Sequence, residues 1–383
     1  MNIAIFTDSF YPGPGGTENV IKTIVPLFEQ KGDKVRIYCP DYHQKNQNLK
    51  NYDIFRIPSI KLTYCDMIAL PSLVKGKLLR DLKQFQPDLI YFTTASGMAK
   101  WALKMGKKLN LPVIATLHTK FHMAWYESTK SHFITYLMLK SLARKFNKAF
   151  SVTAVTFDAA KALKSYGCQN EITVIKNGMD KKNLDITECN MPIKDDFIFL
   201  FCGRLIKSKQ VQFSLKCLKN VKNTYNFNNF NFWIIGDGPY KKKLEKLVKK
   251  YDLQNNVTFL GYLNDRKLLN GYYNAANLML FPSDFDCDGL VVLEASALQL
   301  PTLALKNYGC GERIEDNVTG FLSEFNEKAY TKRIWEIINN KELYDKVRQN
   351  TSSLKAETWD EVSDRYREYF KNKIEEFKKG QQN

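Results

Sequence analysis

The chain has 383 residues, 44% apolar and 25% charged, enough for two domains of ordinary size that each bury a core. Lys and Arg outnumber Asp and Glu by 57 to 40, and the net charge of +17 favours anionic partners: nucleotide diphosphates, anionic lipid headgroups or nucleic acid. The sequence has no low-complexity tract, no uncharged apolar run long enough to span a bilayer, and no RNA- or DNA-binding module, which sets nucleic acid aside. The opening, MNIAIFTDSF, lacks a basic region followed by a long apolar core and does not read as a signal peptide. The eight cysteines are scattered, without CxxC pairs or metal-like clustering with the four histidines; they read as reduced, mostly buried thiols of a cytosolic protein.

Residues 2–7, NIAIFT, form a short apolar strand that runs into a polar loop, SFYPGPGGTEN, then a helical pattern, VIKTIVPLFEQKG, then a second strand, KVRIYCP. Strand, glycine loop, helix and strand make a parallel βαβ beginning. Gly13, Gly15 and Gly16 do not form the GxGxxG fingerprint, so a nicotinamide cofactor is not indicated. Further units follow in DIFRIPS, in DLIYFTT after Pro87, in a helix from Ser96 and in PVIATLHT. Apolar runs that end in polar residues at one edge are what a doubly wound sheet produces, with ligands at the strands' carboxyl ends. His118 stands just past such a strand, where a histidine read by itself is more often structural.

Phe121, Trp125 and Tyr126 open the next segment, followed by HFITYLMLKSLARKFNKAF. On a helix, Lys140, Arg144 and Lys148 form one stripe, with Met138, Leu142 and Phe146 on nearly the opposite side. The start, Phe133 to Leu139, is apolar almost all round. Two readings stay open: a core helix with a solvated basic face, or a surface helix that dips into anionic lipid and meets a lipid-borne acceptor. A strand FSVTAVT, a helix DAAKALKSYG and the piece EITVIKNGMD come next. The polar stretch from Asp180 to Asp196, with Pro192, reads as an interdomain linker.

The second half restarts the rhythm. FIFLFCGRLIKSKQVQFSLKCLKNV is a strand, a glycine turn with Arg204 and Lys209, and a helix. Arg offers a rigid donor fork and Lys a point charge, a pair suited to a diphosphate. NFWIIGDGPYKKKLEKLVKKY, then NVTFLGYL with the helix DRKLLNGYYNAAN, repeat the unit. The stretch Leu280 to Pro301, LFPSDFDCDGLVVLEASALQLP, joins an apolar strand to a loop with Asp284, Asp286 and Asp288 and to a helix from near Gly289. Asp286 precedes that helix and Glu294 lies about a turn and a half inside it. Unpaired N–H groups at its start, around Gly289, Leu290 and Val291, offer an anion seat between the two carboxylates. Asp286 and its neighbours are equally able to cap the helix.

This last stretch resembles the signature of the retaining, GT-B-fold glycosyltransferases of family 4. There, two glutamates with seven residues between them, then Ala and later Pro, mark the donor site. Here Asp286, seven residues, Glu294, Ala295 and Pro301 stand in that order. The resemblance extends to Gly15-Gly16-Thr17-Glu18, His118, Asn177-Gly178 with Asp180, Gly203-Arg204-Leu205 with Lys209, Gly236 to Pro239, and Gly309 to Glu312 with NVTGFL. Departures are Asp286 for Glu, Cys287 and Asp288 for the commoner Gly and aromatic residue, and Gln210 and Gln299 for Gly.

What the resemblance implies is an α/β protein of the GT-B class, two Rossmann-like doubly wound domains facing each other across a cleft. Residues 1–190 would form the acceptor-binding domain, 196–356 the nucleotide-sugar domain, and 357–383 a helix crossing back to the first. It implies a hexosyltransferase using a nucleotide diphosphate sugar, UDP-sugar favoured, with retention at the anomeric carbon. His118, Arg204, Lys209 and Asp286 would be catalytic. Gly15, Gly16, Arg204, Lys209, Asp286, Gly289, Leu290, Val291 and Glu294 would bind the donor, Asp286 at the sugar and Glu294 at the ribose, with His118 donating to a sugar hydroxyl. Arg204 and Lys209 replace a metal, so no metal or other cofactor is expected. Phe121, Trp125, Tyr126, Lys140, Arg144 and Lys148 would face a lipid or glycan acceptor, on a cytoplasmic protein peripheral to an anionic membrane. Two other classes stay in view: a catalytically weak GT-B adaptor, and a nucleotide-sugar epimerase of the same fold.

Overall fold

The computed structural model describes residues 1–10, 16–42, 51–61, 67–94, 97–179, 184–189, 196–354 and 357–382. Gly15, Asp180 and Pro192 lie outside the described residues. The chain divides into two compact units, Met1–Gly178 with Trp359–Asn383, and Met179–Thr358.

In the first unit the strands are β1 (Asn2–Phe6), β2 (Lys34–Pro40), β3 (Asp53–Ile57), the pair β4 (Ser59–Lys61) and β5 (Met67–Ala69), β6 (Leu89–Phe92), β7 (Val113–Leu117), β8 (Ser151–Ala154) and β9 (Ile172–Val174). Around them run α1 (Gly16–Gln30), α2 (Lys75–Phe85), α3 (Gly97–Leu109), α4 (Phe121–Thr129), α5 (His132–Phe146) and α6 (Phe157–Tyr166). A parallel sheet is ordered β3-β2-β1-β6-β7-β8-β9, and β4 and β5 form a separate antiparallel pair. The central strands β1, β6 and β7 are buried almost throughout, which is why they read as unbroken apolar runs. The order reverses between β1 and β6, where such sheets open at their carboxyl edge.

The second unit is built in the same way. Its strands are β10 (Phe197–Cys202), β11 (Phe230–Ile235), β12 (Val257–Gly261), β13 (Leu278–Phe281), β14 (Thr302–Leu305) and β15 (Phe321–Ser323). Its helices are α7 (Val211–Tyr225), α8 (Lys241–Lys250), α9 (Arg266–Ala275), α10 (Leu290–Ala297), α11 (Glu327–Asn339) and α12 (Lys341–Asn350). The parallel sheet runs β12-β11-β10-β13-β14-β15, switching between β10 and β13.

The last helix, α13 (Trp359–Lys379), belongs to the first unit. It buries Val362, Tyr366, Phe370 and Ile374 at four-residue spacing, one stripe of a helix, in the core that also holds Ile21, Phe28 and Ile37. Arg367 reaches Asp33 at 2.5 Å and Lys31 meets Asp364 at 2.7 Å.

Two expectations are corrected. The first unit's initial segment stops at Gly178, not near 190, because residues 184–189 attach to α9: Asn270 Nδ2 donates to the Asp185 carbonyl at 2.9 Å and Thr187 N to the Lys267 carbonyl at 3.0 Å. And α5 ends at Phe146, so Lys148 lies beyond the helix and outside the basic stripe. Asn147 ends it by donating to the Gly167 carbonyl and accepting from Gln169 N, after which Phe150 N joins Val113 at the start of β8.

Candidate functional site

Arg204 and Lys209 follow the carboxyl end of β10. The loop that carries them is fixed from below by the β11 turn: Leu205 N donates to the Asp237 carbonyl at 2.8 Å and Gly203 N to Ile235 at 3.0 Å. This contact requires glycine at 236, where φ is +130° and a Cβ would meet the Gly203 carbonyl oxygen at 1.9 Å. Arg204 is exposed, whereas Lys209 is half-buried. Lys209 Nζ lies 2.6 and 2.7 Å from the two carboxylate oxygens of Asp286, and 5.3 Å above the Phe281 ring.

Asp286 stands in the loop between β13 and α10, its amide directed at Ser283 Oγ, 3.3 Å away. Gly289 opens α10 with φ +61°, and a Cβ there would meet Cys310 Sγ at 2.8 Å. Only glycine satisfies both conditions. Leu290 and Val291 form the first turn, half-buried, with the helix's amide end beside them. The structure therefore gathers Lys209, Asp286 and the start of α10 in one place, with Arg204 on the same β10 loop as Lys209.

Glu294 follows on α10. Its carboxylate accepts from Tyr273 Oη at 3.1 Å and pairs with Arg266 Nη1 at 3.0 Å. Arg266 and Tyr273, both on α9, escaped the sequence reading. Arg266 had a signal, since like Arg204 it follows closely on a strand's carboxyl end. Nearby Cys202 is a poor nucleophile, its thiol pushed up to about 12 by burial first and then by Glu294.

Asp288 belongs to a different structure. It is buried and receives a two-pronged pair from Arg313, Nε to Oδ1 and Nη2 to Oδ2, both 2.8 Å. Each of the three aspartates of the loop takes a different donor: Asp284 takes Gln210 Nε2 at 3.3 Å, Asp286 takes Lys209 and Asp288 takes Arg313, among their contacts. Among the described residues no group of three or more His, Cys, Asp or Glu side chains is placed to hold a metal ion.

In the first unit, Gly16 starts α1, and a Cβ there would meet no atom of the described residues within 4 Å, so packing against them does not demand glycine. His118 follows β7. Its Nε2 lies 3.5 Å from Tyr91 Oη, while Nδ1 is buried without a hydrogen-bond partner among the described residues. The residue as a whole is half-buried, and burial of the imidazole lowers its pKa to about 4 and keeps it neutral. Phe121 and Trp125 stack at 4.9 Å on α4, a helix with no buried residue, and Tyr126 stacks on His132 at 4.3 Å. On α5, Leu142 and Phe146 face the core and Arg144 faces water, while Lys140 is half-buried with Nζ 5.4 Å above the Tyr136 ring. Phe133, Ile134, Tyr136 and Leu137 are exposed by 70, 47, 55 and 50%. The face available to lipid is therefore this first turn and a half, not the Met138–Leu142–Phe146 side.

Comparison with known proteins gives the setting. Residues 188–353 match the model of glycosyl transferases group 1, and residues 14–183 match that of glycosyltransferase family 4. The alpha-monoglucosyldiacylglycerol synthase of Acholeplasma laidlawii is 24% identical over 91% of this chain and 91% of its own. That of Streptococcus pneumoniae is 25% identical over 84% and 75%. Among solved structures, Anabaena Alr3699/HepE in complex with UDP superposes with a TM-score of 0.78 at 19% identity, over 97% of this chain and all of that one. Two family models that together span nearly the whole chain, over two parallel-sheet domains, make this protein a member of the group 1 glycosyltransferases with the GT-B fold.

Proposed function

We propose that the protein is a retaining hexosyltransferase that moves a hexose, glucose in the first instance, from UDP-hexose to a hydroxyl of a membrane lipid or cell-surface glycan. The observation that carries this reading is the meeting of Lys209 and Asp286 beside the start of α10. Breaking the bond between the anomeric carbon and the β-phosphate oxygen builds negative charge on UDP. Arg204, Lys209 and the first amides of α10 stabilise that charge and supply what a divalent cation supplies in other transferases, so no metal is needed. Glu294, steered by Arg266 and Tyr273, holds the ribose hydroxyls, and Asp286 takes sugar hydroxyls once the diphosphate draws Lys209 away. The acceptor oxygen bonds to the anomeric carbon from the face that UDP leaves, and its proton departs with UDP.

UDP and glucose are favoured because the Anabaena protein was solved with UDP and with UDP-glucose, and the two relatives are named for glucosyldiacylglycerol synthesis. The same relatives support a lipid acceptor, as do the exposed apolar start of α5 and the basic excess of the chain. No helix among the described residues is long and apolar enough to cross a membrane. Such an enzyme would meet its acceptor at the membrane surface.

A second reading, a catalytically weak adaptor, draws on Asp286 being a methylene shorter than Glu and tied to Lys209. Calorimetric titration with UDP, GDP and UDP-glucose, with and without EDTA, decides. Micromolar UDP binding that survives EDTA is expected; no nucleotide binding at all would replace the transferase with the adaptor.

A further inference from the structure

One helix grips Glu294 at both of its carboxylate oxygens. Tyr273 Oη donates to Oε2 at 3.1 Å, and Arg266 Nη1 lies 3.0 Å from Oε1. Both residues stand on α9, seven positions and so nearly two whole turns apart, on one stripe of the helix. Side chains on a helix lean towards its amino end, which brings the Tyr273 ring back towards Arg266. The start of α9 is itself pinned, since Asp265 Oδ1 accepts from Lys267 N and Leu268 N at 2.9 and 3.3 Å. Tyr273 is fully buried, so its hydroxyl is a fixed anchor.

A carboxylate offers about four lone-pair sites, two on each oxygen. Tyr273 takes one on Oε2 and Arg266 one on Oε1, and among the described residues no further donor reaches either oxygen. The Glu294 side chain is 27% exposed, so the site left on each oxygen is open to a ligand. Cys202 also approaches the Tyr273 phenol, but it is a neutral thiol and a weak acceptor beside a carboxylate. Glu294 lies one turn beyond Leu290 and Val291, on the side of α10 that carries the amides assigned to the diphosphate. In a nucleoside diphosphate the group joined to the diphosphate is the ribose, with two neighbouring hydroxyls that suit two neighbouring acceptors.

We propose that Arg266 is a positioning residue that, with Tyr273, locks the Glu294 carboxylate against the 2′- and 3′-hydroxyls of the donor's ribose, and so makes the protein select ribonucleotides over 2′-deoxyribonucleotides. The inference rests on the transferase reading above, which seats the ribose at Glu294. Without the 2′-hydroxyl one carboxylate oxygen is left short of a donor in the complex, and that lost hydrogen bond is the source of selectivity. Held at both oxygens, the carboxylate cannot turn to recover the loss; released from Arg266, it can. Arg266 also supplies charge, but charge draws both nucleotides alike and cancels in the ratio of their affinities.

The test is calorimetric titration of the full chain with UDP and with 2′-deoxy-UDP, read as the ratio of the two Kd values. The wild type is expected to bind UDP about 10- to 100-fold more tightly, the worth of a hydrogen bond to a charged group. Arg266→Met keeps the aliphatic stem; it should weaken both nucleotides and bring the preference below about 3-fold, because the carboxylate is then free to turn. Arg266→Lys, which can still donate to Oε1, should restore the preference. Tyr273→Phe, nearly isosteric, leaves the charge in place and should also lower it, so a folding defect in one variant leaves the other as the test. Equal wild-type affinities, or the full wild-type preference persisting in both Arg266→Met and Tyr273→Phe, overturn the proposal. A wild type that binds neither nucleotide sinks the transferase reading and this inference with it, whereas UDP bound without such discrimination sinks this inference alone.

Discussion

Lys209 and Asp286 neutralise each other across 2.6 and 2.7 Å, so the cation assigned to the diphosphate and the carboxylate assigned to the sugar occupy each other before any donor arrives. Lys209→Ala therefore does two things: it removes a positive charge and takes the Lys209 ion pair from the Asp286 carboxylate beside the phosphate seat. At close range such a charge is worth on the order of a few kcal/mol. We predict that Lys209→Ala lowers kcat/KM by about 10²–10³-fold and Arg204→Ala by about 100-fold, at the lower end of that range, because Arg204 is exposed. In calorimetry, Lys209→Ala with Asp286→Asn should bind UDP more tightly than Lys209→Ala alone. Equal affinities for the two would show that the pair is not electrostatically linked to the nucleotide.

The Asp288–Arg313 pair makes a prediction about stability. Both side chains are nearly inaccessible, 3 and 4% exposed, and the fork geometry satisfies both carboxylate oxygens. Removing one partner of such a pair strands a buried charge, at about 3–5 kcal/mol, whereas replacing both with apolar residues is often neutral. Arg313→Leu should lower the unfolding free energy of the second unit by about that amount, and Asp288→Phe combined with Arg313→Leu should recover most of it. Denaturant unfolding followed by the fluorescence of Trp233, buried in that unit's core, reads both. A double variant as unstable as the single would mean that the ion pair itself is required.

His118 carries the pH dependence. Its folded pKa is depressed to about 4 from 6.5 by burial, so between those values the unfolded chain binds a proton that the folded chain does not. Its contribution to stability is complete above pH 6.5 and is lost as pH falls toward 4, roughly 3 kcal/mol in all. We expect His118→Gln to remove that part of the acid sensitivity, so that the two unfolding curves converge as pH drops from 7 to 4.5. The same shift predicts no inflection near pH 6.5 in kcat/KM. A histidine-like inflection there that vanishes in His118→Gln would contradict the depressed pKa.

Much of this was legible before any coordinates. Alternating apolar runs and polar ends placed the strands because buried parallel strands leave little else to read. Even the departures from the family pattern carried geometry: Gln210 and Gln299, which replace glycine, sit at φ +58° and +55°, the left-handed region glycine favours. What stayed hidden was tertiary pairing. Nothing near Asp288 in sequence announces Arg313, 25 positions on, and Tyr91 looks like any strand aromatic until Thr116 and His118 are placed beside it. The basic stripe was misjudged at Lys148 because periodicity carries a helix forward past a residue such as Asn147, whose side chain competes for backbone partners and ends it.

The start of α5 is where a lipid acceptor would be met. Phe133, Ile134, Tyr136 and Leu137 are exposed together, and Lys140 and Arg144 follow one and two turns on. Burying four such side chains in an interface contributes several kcal/mol by area, and each cation near an anionic surface adds about 1 kcal/mol. Phe133→Ser with Leu137→Ser should weaken sedimentation with phosphatidylglycerol vesicles at least about 10-fold at any salt, since the lost term is apolar. Lys140, Arg144 and Lys148 changed together to Glu should weaken it strongly at low salt and little at high salt, since that term is screened. Calorimetric UDP binding should be unchanged in both, because these residues belong to the first unit and the proposed nucleotide seat to the second. Vesicle binding that survives both sets of changes would leave α5 as an ordinary core helix and move the acceptor's approach to another face.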